Sequence, residues 1–319
     1  MKGMCIMLIV GQHISPESIY GDCNHMLMSF RIPLYYFLSG LFFKTYDGFS
    51  DFLRRKVNNI LVPFAFFYLM ACGLAIVCSE VHLKIYYYPW EWKYLLDPFY
   101  INDYHYNVPL WFLLSLFGVN ILYYLLQKVI KGVWIYVAVV ALSVAGWLMA
   151  RGGVMLPMML DTALVALPFF VLGREVKTHG GLEKHSYDKW GLVVLLPVLA
   201  ILYLFAEKIN IHDRILPSYI MLYLIPFLSI ISLFWFCKNL PHIPVITYIG
   251  RYSLVVLGTH SIILGPVCSV VFKLVGKSYG SCWLVLLAMV LLELAIIPII
   301  IRLFPKFTAQ EPLIKGRQQ

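Results

Sequence analysis

Charged residues are scarce in this sequence. They make up 13% of its 319 residues, whereas an average soluble domain carries about 25%. Hydrophobic residues make up 61%, and the mean hydropathy is +0.81. This shortage of charge excludes a disordered chain and an ordinary soluble domain. Because the apolar residues come in long runs, we expect an all-α fold, a polytopic transmembrane helical bundle.

The sequence also lacks internal repeats, low-complexity tracts and CxxC pairs. Its seven cysteines are scattered, and five of them lie in or at the ends of apolar segments. Such cysteines are typical of small core residues. The other two, Cys23 and Cys282, fall near the same face of the predicted bundle, so the pattern also allows a disulfide between them.

Ten apolar segments are predicted to be membrane helices. They are residues 3–18, 26–43, 58–80, 108–127, 132–150, 154–173, 188–207, 215–236, 246–271 and 281–304. We therefore interpret residues 1–304 as a single membrane-embedded domain. Residues 305–319 form a short basic tail that we expect to be cytoplasmic and disordered.

Acidic residues are few, and the basic excess favours one orientation. The chain has 25 Lys and Arg against 16 Asp and Glu, a net charge of +9. With the N-terminus inside, 17 of these cations fall on the cytoplasmic side, seven fall on the outer side, and Arg31 lies inside a predicted span. Since cytoplasmic loops of membrane proteins are rich in Lys and Arg, both termini are expected in the cytoplasm. The positive charge thus has an explanation without nucleic acid, and no nucleic-acid partner is expected.

The loop at residues 81–107 is unusually aromatic. Tyr and Trp are enriched at the membrane–water interface, so one interpretation is an interfacial belt. The other is a surface on which sugar rings stack.

Five acidic, basic or histidine residues lie in the interior of the predicted spans, away from the span ends. Such residues are costly to bury and are functional candidates by default. At about 1.5 Å per residue, all five come out near the middle depth of the membrane, which predicts one buried polar chamber. The alternatives are structural: a hydrogen bond to a neighbouring helix for the histidine of span 9, and ion pairs with the arginine for the two acids. The five residues are His13, Arg31, Asp161, His260 and Glu293.

Lys2 and His13 are eleven residues apart, which is almost three turns of an α-helix. Both side chains therefore share one helix face, with a cation at the cytoplasmic surface and a titratable base at middle depth. This arrangement suits a long ligand with an anionic head, such as acyl-coenzyme A. The basic run Arg54-Arg55-Lys56 is either a second phosphate contact or a plain topology signal.

Several of these residues match the motifs of a known family. The sequence resembles the membrane acyltransferase-3 family, which includes fucose 4-O-acetylase-like and polysaccharide O-acetyltransferases. A basic residue, ten intervening residues and a histidine open that family, as Lys2 and His13 do here. The other matching segments, in chain order, are SFRIPLYYFLSGLFF (29–43), FLRRKVNNILVPF (52–64), PLWFLLSLF (109–117), ALPFFVLG (166–173) and GRYSLVVLGTH (250–260).

The resemblance implies an O-acetyltransferase of the bacterial inner membrane. It would transfer an acyl group, usually acetyl, from cytoplasmic acyl-CoA to a hydroxyl of a glycan or lipid-linked sugar, with membrane lipid around it and no metal. His13 is the expected general base, and Arg31 is expected either to stabilise the oxyanion or to hold an acidic acceptor. Lys2, Arg54, Arg55 and Lys56 are expected to bind the coenzyme. The residues expected to line the chamber are Ser39, Trp111, Asp161, His260 and Glu293.

A different class of function also fits the buried charges. A multipass transporter or flippase of a lipid-linked sugar or small molecule places charges at middle depth as well. Transporters often consist of two related halves, however, and no such repeat is found. A structural membrane protein is the remaining alternative.

Overall fold

A computed structural model describes residues 1–15, 19–81, 90–183 and 185–315, and within them the fold is helical without a β-strand. A π-helical turn, Val57–Leu61, interrupts the long third helix. The helices are α1 (Lys2–Ile14), α2 (Asn24–Leu41), α3 (Phe49–Glu80), α4 (Trp111–Val129), α5 (Trp134–Arg151), α6 (Leu160–Thr178), α7 (Gly191–Phe205), α8 (Tyr219–Asn239), α9 (Pro244–Arg251), α10 (Ser253–Val275) and α11 (Tyr279–Leu303). The all-α fold class is confirmed.

Within the described residues, each of the ten predicted segments contains a helix, but not all of these helices qualify as spans. Within the described residues, seven helices are long and apolar enough to cross a membrane, and α1, α2 and α6 are not among them. Outward-facing side chains of α11, such as Leu287 and Leu291, are exposed and apolar, as a lipid-facing surface requires. The count of ten spans stays a prediction.

The predicted helix 246–271 is wrong as one element. Helix α9 ends at Arg251, Tyr252 leaves the helical conformation, and α10 begins at Ser253. The break lets α9 lie against α1. A Cβ on Gly3 would be 1.9 Å from the Ile246 carbonyl oxygen, so the two backbones touch directly beside Lys2.

Helices α2 and α6 cross at a pair of glycines. A Cβ on Gly40 would lie 1.9 Å from the Phe170 carbonyl oxygen, and one on Gly173 would lie 2.0 Å from the Phe37 carbonyl oxygen. Only glycine permits this approach, which is common where membrane helices pack. The crossing fixes α2, and α2 carries Arg31 and Ser39.

The aromatic loop is partly an element of the core. Tyr94, Tyr104 and Tyr106 are buried and belong to the hydrophobic core, whereas Trp92 and Tyr100 are exposed. The buried rings are covered by protein, so only the exposed ones are open to headgroups or sugars. Residues 82–89 of the predicted aromatic surface lie outside the described residues.

The structure also contradicts a disulfide that the cysteine pattern allowed and the expected disorder of the tail. Cys23 is exposed and Cys282 is buried, and both thiols are free, so they form no disulfide. The tail is ordered as far as residue 315. Phe307 stacks on Phe66 at 5.4 Å between ring centroids, and the Asn58 amide exchanges two hydrogen bonds with the backbone of Ile314.

Candidate active site

A cavity of about 190 Å³ opens beside α1, and we call it the Lys2 cavity. Side chains from α1, α2, α4, α10 and the π-helical turn line it. Its lining combines apolar residues with a few polar ones, as in most small-molecule sites. The polar residues and the tryptophan are Lys2, His13, Tyr35, Ser39, Asn59, Trp111 and Ser253.

A second cavity, of about 300 Å³, lies at the other end of α1, and we call it the Arg31 cavity. Part of its wall comes from the segment 209–213, between α7 and α8. Its polar residues and the tryptophan are Gln12, His13, Arg31, Trp111, Asn210, His212 and Asp213. Four residues line both cavities, and the cavities therefore adjoin there: Ile9, His13, Ile32 and Trp111.

His13 is open to these cavities and has no hydrogen-bond partner among the described residues. Its ring faces the ring of His260, with the centroids 5.4 Å apart. His260 is fully buried. Its Nδ1 lies 2.7 Å from the Val256 carbonyl oxygen, which only accepts hydrogen bonds, so Nδ1 carries the proton. The bond lies within α10, not to a neighbouring helix, and the His260 Nε2 atom has no partner in the described part of the chain.

Arg31 is 5% exposed. Its Nη1 atom donates to the Gln12 side-chain oxygen at 2.8 Å and to the Leu8 carbonyl oxygen at 3.4 Å. These bonds tie α2 to α1 and hold the guanidinium at the wall of the Arg31 cavity.

The predicted coenzyme residues lie in two places. Lys2 lines the Lys2 cavity. Arg54 and Arg55 form ion pairs with Asp51, and the Lys56 ammonium lies over the rings of Phe43 and Phe52. The run 54–56 directly precedes the π-helical turn that contributes Asn59 to the cavity.

Of the residues expected to line the chamber, Asp161, His260 and Glu293 line neither of the two cavities. Asp161 pairs with Arg214, whose Nε lies 2.6 Å from Oδ2, so the alternative interpretation of an ion pair with Arg31 does not hold. Glu293 accepts a hydrogen bond from the Thr259 hydroxyl at 2.8 Å, again without Arg31. Asp161 therefore links α6 to the segment between α7 and α8, and Glu293 links α11 to α10.

Sequence reasoning placed Ser39 and Trp111 in the chamber, and both line the Lys2 cavity. It missed Tyr35, Asn59 and Ser253 in the Lys2 cavity and Gln12, Asn210, His212 and Asp213 in the Arg31 cavity. The sequence offered one signal for the last three of these residues, the polar run 210–214 between two apolar segments. The count of basic residues treated this run only as a loop.

The apolar helices and outward-facing leucines define an integral membrane protein, and a free histidine between two cavities marks the candidate active site. The family model of the acyltransferase-3 domain, described as an acyltransferase domain, matches residues 1–302 of the 319. The chain belongs to this family. No curated protein and no solved structure gives a significant match.

Proposed function

We propose that this acyltransferase moves an acetyl group from acyl-CoA to a hydroxyl of a glycan or lipid-linked sugar, in the inner membrane of a bacterium. The observation that supports this proposal is the position of His13. It lies between two cavities with no hydrogen bond to the described protein, where a donor and an acceptor would both reach it.

The donor belongs in the Lys2 cavity. Lys2 lies at the opposite end of α1 from His13, roughly 16 Å away along the helix. A pantetheine arm suits that distance, with its phosphates near Lys2 and its thioester near His13. Arg54, Arg55 and Lys56 are further candidates for phosphate contacts, although phosphate would compete with Asp51 for the two arginines.

His13 would act as the general base. A sugar hydroxyl is a weak nucleophile, and a neutral imidazole accepts its proton as the oxygen attacks the thioester carbon. The carbon–sulfur bond then breaks, and the proton passes from His13 to the departing thiolate of CoA. The open ring nitrogens of His13 are free for both transfers.

Orientation follows from the charge bias. With both termini in the cytoplasm, Lys2 faces the compartment that holds acyl-CoA. The segment 209–213 then faces outward, so the Arg31 cavity would receive the acceptor from the outer side.

The first test is release of CoA by the purified protein. Incubation with acetyl-CoA and a polysaccharide extract should release free CoA and transfer labelled acetyl to the extract. His13→Gln should do neither. Two results would contradict the transferase and favour the transporter. In the first, the wild-type protein binds acetyl-CoA but never cleaves it. In the second, it moves an intact lipid-linked sugar across the membrane of vesicles.

A further inference from the structure

Arg31 is a buried cation with no counter-ion in the part of the chain that the structure describes. It is 5% exposed, and it forms no ion pair with any described residue. Only Nη1 is engaged, by Gln12 and Leu8. A guanidinium has five N–H donors, so Nη2 and Nε remain available at the cavity wall. A buried charge normally has a partner, and here that partner is missing from the described chain.

The cavity's own acid does not supply this partner. Asp213 is the one carboxylate among the described lining residues, and both of its oxygens are bonded. Oδ1 lies 2.5 Å from His212 Nδ1, and Oδ2 accepts from the Asn210 amide at 2.6 Å. Asp161, one of the two acids predicted at the same depth as Arg31, forms an ion pair with Arg214.

The remaining lining fits a sugar ring. Trp111 is common to both cavities, and its ring centroid lies 5.3 Å from that of His212. Aromatic faces stack on sugar rings, while Gln12, Asn210 and His212 offer hydrogen bonds to hydroxyls. A volume of about 300 Å³ lies at the lower end of ligand pockets, about 300–1,000 Å³, which favours one ring over a longer chain.

We propose that the Arg31 cavity is an acceptor subsite for an anionic sugar, with a carboxylate or phosphate group bound by Nε and Nη2 of Arg31. Two oxygens of a carboxylate or phosphate group can accept from both of these donors at once. The anchored ring would present a hydroxyl to His13. This inference rests on the proposed function, and it gives Arg31 an acceptor-binding role rather than an oxyanion role. Arg31 lines the Arg31 cavity and is not among the residues that line the Lys2 cavity.

Binding of matched sugars to the purified full chain tests the proposal. Methyl glucuronide and methyl glucoside share one ring and differ by a carboxylate at C6, and glucose 6-phosphate offers the phosphate alternative. Wild-type protein should bind one of the anionic sugars at least tenfold more tightly than the neutral one. Arg31→Gln should abolish that preference, and Arg31→Lys should keep part of it because the charge remains.

Arg151→Gln is the matched control. Arg151 is an exposed cation at the end of α5 that lies over the Trp147 ring, outside both cavities, so its loss changes net charge but not the subsite. The preference should persist in this variant. Equal binding of neutral and anionic sugars by wild type, no binding of any, or a preference that survives Arg31→Gln would overturn the inference.

Acetyl-CoA binding and CoA release are measured on the same preparation. If both are absent while the anion preference depends on Arg31, the proposed function fails and the anion site stands. If CoA is released without any anion preference, the transferase stands and this inference fails.

Discussion

His13 is the side chain on which the proposed chemistry depends. Its ring nitrogens have no partner in the described chain, and two cavities meet at its ring. Most buried histidines are held by hydrogen bonds, as His260 is by the Val256 carbonyl. An unbonded histidine at a cavity junction is therefore available to a substrate.

The first prediction concerns His13 in the purified enzyme. His13→Ala and His13→Gln should remain folded and bind acetyl-CoA, because the ring makes no hydrogen bond that the fold needs. Transfer should fall by about 10²–10⁴-fold, the usual loss for a general base. Single-turnover assays measure this loss. Near wild-type turnover in His13→Gln would make the ring structural and leave His260 as the next candidate base.

The second prediction concerns the donor. Lys2→Ala should raise KM for acetyl-CoA by about tenfold and change kcat little, since a phosphate contact has the same strength in the ground and transition states. Lys128→Ala is the control, because Lys128 is an exposed cation that lies over the Tyr124 ring, away from the cavity. An unchanged KM in Lys2→Ala would contradict a phosphate contact, and Lys2 would then be explained only by the excess of basic residues on the cytoplasmic side.

For single residues, the sequence predicted the depth of a side chain in the membrane better than the neighbour that the side chain faces. Helical rise gives the depth of a residue, and depth was enough to bring His13, Arg31 and His260 into one region. It does not tell which neighbour a side chain meets around the helix axis. Asp161 and Glu293 share that depth but face Arg214 and Thr259, which packing alone determines.

The crossing of α2 and α6 is the packing feature that most directly holds the site. Gly40 and Gly173 bring the two backbones together, and α2 then presents Arg31, Tyr35 and Ser39 to the cavities. The helices themselves were predictable from their apolar runs. The break at Tyr252 lies in the polar run 250–253, and the single predicted helix 246–271 passed over this interruption between two apolar stretches.

The third prediction tests this crossing. Gly40→Ala and Gly173→Ala should each destabilise the protein by about 1–3 kcal/mol or more, since each new methyl group meets a carbonyl oxygen that cannot move aside. Gly73→Ala in α3 meets nothing within 4 Å and should be neutral or stabilising. Thermal unfolding in detergent measures the difference. Equal stability of all three variants would contradict the close crossing.

The whole molecule is expected to place its two cavities on opposite sides of the membrane. This arrangement rests on the 17-to-7 bias of basic residues and on α1, which runs from Lys2 to the region of His13. A transferase of this kind would use a cytoplasmic donor and an outer acceptor without moving either across.

The fourth prediction is the orientation itself. Cys23 is exposed and should react with a membrane-impermeant thiol reagent added outside intact cells. In a Cys23→Ser background, a cysteine at position 315 should react only after the membrane is permeabilised, because the basic-residue bias predicts a cytoplasmic C-terminus. Labelling of position 315 from outside would reverse or reject the topology.

Mass spectrometry of surface glycans tests the central claim most directly, because it detects the acetylated product whichever glycan is the acceptor. Cells that express the wild-type protein should carry one glycan or lipid-linked sugar heavier by one acetyl group. Cells without the gene, or with His13→Gln at equal protein level, should lack that species. Identical glycan masses in all three strains would contradict the account.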